Sequence, residues 1–91
     1  DSKVAEFYSS RGDIYSAQKQ YDLALADYRK AIALDANTVS AYCGLGITFT
    51  RMNDFPSAIA NLEKSVGLDK GSNYPRCKTA LDNARKGIAT P

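Results

Sequence analysis

The sequence predicts an all-α protein built as an array of antiparallel helix pairs, and three observations predict it. The chain superposes on itself at an offset of 34 residues, apolar residues recur at helical spacing, and polar breaks fall at corresponding places in both copies. At that offset Tyr8 meets Tyr42, Gly12 meets Gly46, Ala24 meets Ala58, Lys30 meets Lys64 and Asp35 meets Asp69. Conservative pairs lie between them, Tyr15 with Phe49 and Leu25 with Ile59. The matches sit at apolar or small positions, as a repeated packing unit requires. Residues 1–91 therefore read as a single domain, with one unit over 5–38, a second over 39–72 and a capping helix over 73–88.

The first helix is expected from about Lys3 to Gln18, with Phe7, Tyr8, Gly12, Ile14 and Tyr15 as its inward stripe. A polar turn at Lys19-Gln20 precedes the second, from about Asp22 to Leu34, in which Leu25, Tyr28, Ala31 and Ile32 recur at intervals of three and four. Asn37 or Thr38 can cap a third helix from about Val39 to Arg51. Asn53-Asp54 then breaks the chain, Asp54 can cap a fourth helix, and Pro56 falls in its first turn, where a missing N–H costs nothing. The next break runs from Gly67 to Ser72.

A fifth helix, from about Tyr74 to Gly87 with Asn73 as its cap and Pro75 in its first turn, has a different character. Tyr74, Cys77, Leu81, Ala84 and Ile88 make one apolar stripe on a segment otherwise covered in charge. Such a helix suits the end of an array: its inner face covers the preceding unit and its outer face meets water. Gly12 and Gly46 need a packing reason, because a mid-helix glycine costs up to about 1 kcal/mol against alanine. The expected reason is close approach within each helix pair, with Ala24 and Ala58 as the small partners.

Composition narrows the chemistry. The chain has no His, the usual general base near neutral pH and the commonest metal ligand. It also shows no Gly-rich phosphate loop, no metal-spaced Cys cluster and no Ser in a nucleophile elbow, so no catalytic, cofactor or metal residues are assigned and an enzyme is not expected. The net charge of +2 names no partner, but its distribution is uneven. Residues 70–91 carry Lys70, Arg76, Lys78, Arg85 and Lys86 against Asp82 alone. No apolar run approaches the roughly 20 residues that span a bilayer, so membrane insertion is not expected. The start, Asp1-Ser2-Lys3-Val4, lacks Met and reads as cut from a longer chain, so a targeting segment can lie outside it and the compartment stays open, with the cytoplasm favoured.

These residues resemble the tetratricopeptide repeat, which recurs every 34 residues with aromatic, Leu-Gly, Tyr, Ala, aromatic, Ala and Pro at fixed phases. The first unit shows Tyr8, Gly12, Tyr15, Tyr21, Ala24, Tyr28 and Ala31, with Arg11 in place of the usual Leu. The second shows Tyr42, Leu45-Gly46, Phe49, Phe55 and Ala58, then Leu62 and Ser65 where an aromatic and Ala are usual. Both lack the late Pro, having Ala36 and Lys70. The resemblance implies a right-handed superhelix whose first helices line a concave face that holds a peptide or partner helix. The phases facing that groove carry Ser9 and Asp13, then Cys43, Ile47, Thr50 and Arg51, then Tyr74, Lys78, Leu81 and Arg85.

Two readings of those groove residues stand. Ile47, Tyr74 and Leu81 can hold an apolar anchor while Arg51, Lys78 and Arg85 meet a carboxylate, or the apolar groups pack on each other and the cations form a solvated face. One subset of the family clamps the C-terminal carboxylate of heat-shock chaperones, but the corresponding phases here hold Ser9, Asp13, Gly44, Tyr74 and Lys78, one match in five. Cys43 and Cys77 share a phase in neighbouring units. Packed helices lie roughly 8–10 Å apart, beyond the reach of a disulfide, so two free thiols used as small apolar residues are favoured, with a redox pair as the alternative. The function predicted is a non-enzymatic protein–protein interaction module, with a partner of unknown identity. Self-association by repeat stacking is the alternative, and nucleic-acid binding through the basic fifth helix a distant third.

Overall fold

The computed structural model describes residues 2–88. In it α1 (Ser2–Ala17) and α2 (Tyr21–Leu34) form one hairpin, α3 (Val39–Arg51) and α4 (Phe55–Leu68) a second, and α5 (Pro75–Arg85) packs on both α3 and α4. First helices α1 and α3 also touch each other, and α2 rests on α3. Two antiparallel pairs and a closing helix are thus the observed architecture.

Local chemistry sets the breaks. The turns inside the two hairpins are copies: Lys19 and Asn53 both take left-handed backbone, at φ 63° and 62°. The amides of Gln20 and Asp54 each return 2.9 Å to the carbonyls of Tyr15 and Phe49. Asp54 caps α4 as expected, its carboxylate accepting from the Ser57 amide at 3.3 Å. Thr38 precedes α3 without a side-chain cap bond. Before α5 the cap is Tyr74 rather than Asn73; Asp69 instead organises this loop, accepting from the Asn73 and Tyr74 amides at 2.9 Å each.

The fifth helix ends at Arg85, two residues before the expected Gly87. Gly87 turns left-handed at φ 72° and the Ile88 amide folds back to the Asn83 carbonyl at 2.9 Å, which carries Ile88 out of the helix and leaves it half exposed.

A second correction concerns α1. Phe7 and Ile14, expected to face inward, are 58% and 57% exposed. The inward face is instead Ala5, Ser9, Gly12 and Ser16, spaced four, three and four. This small-residue face brings α1 close to its neighbours; Tyr8 and Tyr15 of the expected stripe pack partly buried beside it, whereas Phe7 and Ile14 are turned to solvent.

The glycines are explained by a different partner from the one expected. A Cβ on Gly12 would lie 2.8 Å from Tyr28 Cε1, and one on Gly44 would lie 2.8 Å from the Tyr28 hydroxyl and closer still to the ring. The Tyr28 ring, 1% exposed, is therefore sandwiched between α1 and α3. In the second hairpin Gly46 leaves the same space for Leu62, which is fully buried. The glycines admit a large side chain sixteen positions on; Ala24 and Ala58 are buried but are not the groups they make room for.

Two apolar clusters result. One joins Ala5, Ala24, Leu25, Tyr28, Ala31, Ala41 and Leu45 across α1, α2 and α3. The other joins Cys43, Ile47, Ala58, Leu62, Cys77, Ala80, Leu81 and Ala84 across α3, α4 and α5.

Candidate partner-binding groove

A cavity of about 560 Å³ opens between α1, α3 and α5. Asp13 and Ala17 line it from α1, Gly44, Ile47 and Arg51 from α3, and Arg76, Thr79, Ala80 and Asn83 from α5, with Tyr28 of α2 showing between the walls. The floor is apolar and small, and the rim carries two guanidinium groups, an amide, a hydroxyl and one carboxylate.

The carboxylate is fixed. The Tyr28 hydroxyl donates to Asp13 Oδ1 at 2.5 Å, and Arg76 lies 3.8 Å from the other oxygen, so Asp13 ties the buried ring of α2 to the cation of α5. Burial, and then the hydrogen bond to Asp13, push the Tyr28 hydroxyl well above the ordinary tyrosine range, so it remains a proton donor at neutral pH. On α3, Arg51 Nη1 donates to Ser16 Oγ at 2.8 Å, and Thr48 donates to the same oxygen at 2.9 Å. The polar wall is therefore preorganised by buried hydroxyls of α1 and α3.

Of the groove residues read from sequence, Asp13, Ile47 and Arg51 line this cavity. Ser9 is buried, its Oγ without a hydrogen-bond partner among the described residues. Thr50 is fully buried and donates to the Ile47 carbonyl in its own turn at 2.6 Å, and Leu81 belongs to the core. Tyr74 and Lys78 border a different cavity of about 490 Å³, on the side of α5 that faces Val66 and Asp69. Arg85 pairs with Glu63 of α4 at 2.9 Å.

Repeat phase thus transfers from α1 to α3 but not to α5. A strict copy would present Leu81 and Arg85, the equivalents of Ile47 and Arg51. Instead Leu81 is buried with Cys77, Ala80 and Ala84, the helix is turned about its axis, and Arg76, Thr79 and Asn83 reach the groove. The signal was present as a three-, four- and seven-residue spacing from Arg76, on a face without large apolar groups.

The cysteines also depart from expectation. Cys43 and Cys77 form a disulfide, with Cα atoms 5.6 Å apart, and both are buried. Ala80 and Ala84 of α5 share the core cluster of the two cysteines, and such small side chains let α5 approach α3 to within disulfide reach. Free thiols were expected from an average separation that small residues do not obey.

The comparisons with known proteins fit this architecture. Residues 12–53 match the family model described as TPR repeat, and residues 39–72 match the model described as tetratricopeptide repeat. The chain belongs to the tetratricopeptide-repeat family. Among relatives, mouse DnaJ homolog subfamily C member 7 is 34% identical over 87 residues, covering 90% of this chain and 18% of the relative. Mouse tetratricopeptide repeat protein 16 is 29% identical over 72 residues, covering 79% of this chain and 9% of its own length. Hsp70-Hsp90 organizing protein 3 of Arabidopsis thaliana is 28% identical over 69 residues, 76% of this chain and 12% of the relative. The chain spans less than a fifth of each of these proteins. Tetratricopeptide repeats are, as a family, non-catalytic protein–protein interaction modules. No helix among the described residues is long and apolar enough to cross a membrane.

Proposed function

We propose that this tetratricopeptide array holds a segment of a protein partner in the groove between α1, α3 and α5. The observation that carries the reading is the composition of the cavity wall: an apolar floor of Ala17, Ile47 and Ala80 beneath Arg51, Arg76, Thr79 and Asn83. An apolar anchor seats on the floor, and the rim cations and amides hold backbone carbonyls or a carboxylate of the partner. Two relatives are named for chaperone systems, which supports a protein rather than a small molecule as the occupant. The test is a pull-down with the intact chain and with an R51E/R76E variant whose circular dichroism matches it. Loss of captured partners on charge reversal supports the groove, and unchanged capture refutes it.

Self-association is favoured by a separate observation. Val4, Phe7 and Ile14 are exposed, whereas their equivalents Thr38, Ala41 and Thr48 are buried beneath the first hairpin. Another helix pair stacked on α1 would cover them in the same way. Sedimentation distinguishes the two readings, since a monomer independent of concentration removes this one.

A further inference from the structure

We propose that the Cys43–Cys77 disulfide is a redox-controlled latch on the third wall of the groove. Closed, it holds α5 against α3 and completes the cavity; reduced, it lets α5 leave while the two hairpins stay folded. The proposal rests on the groove reading above and concerns its regulation.

The bond joins two walls of the same cavity. Cys43 directly precedes Gly44 on α3 and Cys77 directly follows Arg76 on α5, and both of those neighbours line the groove. Any change in the bond therefore acts on the wall beside it.

Without the bond α5 is weakly held. It is an 11-residue helix, shorter than the roughly 12–15 residues at which an isolated helix becomes even marginal. Its buried face is Cys77, Ala80, Leu81 and Ala84, in which Leu81 is the one large side chain. No side chain caps its N-terminus, and its ion pairs, Arg85 with Glu63 and Arg76 with Asp13, join half-exposed groups of little energetic weight. The hairpins have support of their own. The cluster centred on Tyr28 contains no α5 residue, so losing α5 uncovers Ile47 and Leu62 without dismantling the contact between α1, α2 and α3.

The chemistry balances with an external dithiol as reductant. One of its thiolates attacks a cystine sulfur, breaking the S–S bond and forming a mixed disulfide while the other cysteine leaves as thiolate. The second thiol of the reductant closes on the mixed disulfide. Both cysteines end as thiols, the reductant ends as a cyclic disulfide, and two electrons and two protons have entered the protein. Because Cys43 and Cys77 are 0% and 1% exposed, attack proceeds from conformers in which α5 has already lifted, and reduction then traps that open state.

Amide hydrogen exchange read by mass spectrometry tests the latch without any ligand, on the oxidised chain, the chain reduced with dithiothreitol, and a C43A/C77A variant. Exchange across Cys77–Arg85 is expected to rise by roughly two to three orders of magnitude in the reduced chain and in the variant, the scale of a disulfide's usual contribution to stability. Protection in α1 and α2 stays, and reoxidation of the wild type with oxidised glutathione restores α5. Unchanged protection of α5 overturns the proposal. So does a loss of protection throughout the chain, which would make the bond a general staple. Because no partner is present in the assay, failure of the groove reading in the pull-down and failure of the latch are separately visible.

Discussion

Replacing Gly44 by Ala separates the packing account of this fold from one based on helix propensity. Propensity alone favours the change by up to about 1 kcal/mol, since Gly is the poorest helix former after Pro. The structure reverses the sign. A Cβ at Gly44 would overlap the Tyr28 ring, with the hydroxyl oxygen 2.8 Å away and ring carbons nearer. The ring has no retreat, because a Cβ at Gly12 on its other side would already be 2.8 Å from Cε1. Overpacking a rigid site costs typically 1–3 kcal/mol, and a ring confined on both sides belongs at the upper end. Subtracting the propensity gain leaves about 2 kcal/mol of destabilisation. For a chain of this size that lowers the thermal midpoint by roughly 8–16 °C. Gly67→Ala is the control: nothing lies within 4 Å of its added Cβ, so only propensity acts and the midpoint rises. Thermal melts by circular dichroism under oxidising conditions read both. A G44A variant as stable as wild type, moving in the same direction as G67A, would refute the sandwich of Tyr28 between α1 and α3.

Three further outcomes follow from particular residues. Lys19 holds left-handed backbone at φ 63° while exposed, so Lys19→Gly should raise the unfolding free energy by about 1 kcal/mol in urea titration. Arg11 reaches Asp27 through two hydrogen bonds, of 2.7 and 2.8 Å, and its guanidinium is half exposed whereas Asp27 is buried. Arg11→Met strands a buried carboxylate and should destabilise the fold more than Asp27→Asn, which leaves the cation in water; equal losses in the same titration would contradict this. Tyr28 keeps its proton in the fold to higher pH than in the unfolded chain, so its contribution is complete below about pH 10 and is lost as pH rises further. The unfolding free energy should therefore fall by about 1.4 kcal/mol per pH unit above that point, and Tyr28→Phe should remove this part of the slope.

The sequence by itself determined the helix count, the two hairpins and their turns. Those rest on local chemistry: helical spacing of apolar groups, Asp54 before Pro56, and the turn at Lys19 that recurs at Asn53. It also marked Gly12 and Gly46 as sites of close approach, because a helix bears the cost of a glycine only where packing repays it. What filled the gap was not legible. Tyr28 and Leu62 lie sixteen positions on, and their place depends on how two helices are rotated against each other, which spacing within one helix does not encode. The same limit applied to α1, where Phe7 and Ile14 look like core by composition but lose that place to Ala5, Ser9, Gly12 and Ser16.

Tertiary structure alone decided the α5 side of the cavity. Asp13, Ile47 and Arg51 could be placed by repeat phase because α1 and α3 each have a second helix that fixes their rotation. α5 has none; it settles where Leu81 and three small residues meet α3 and α4 and where Cys77 reaches Cys43, and that rotation brings Arg76, Thr79 and Asn83 to the rim. A repeat transmits position along the chain only while each unit has a neighbour to pack it the same way. At the last helix that condition ends, and the final packing, not the pattern, chose the side chains that face the groove.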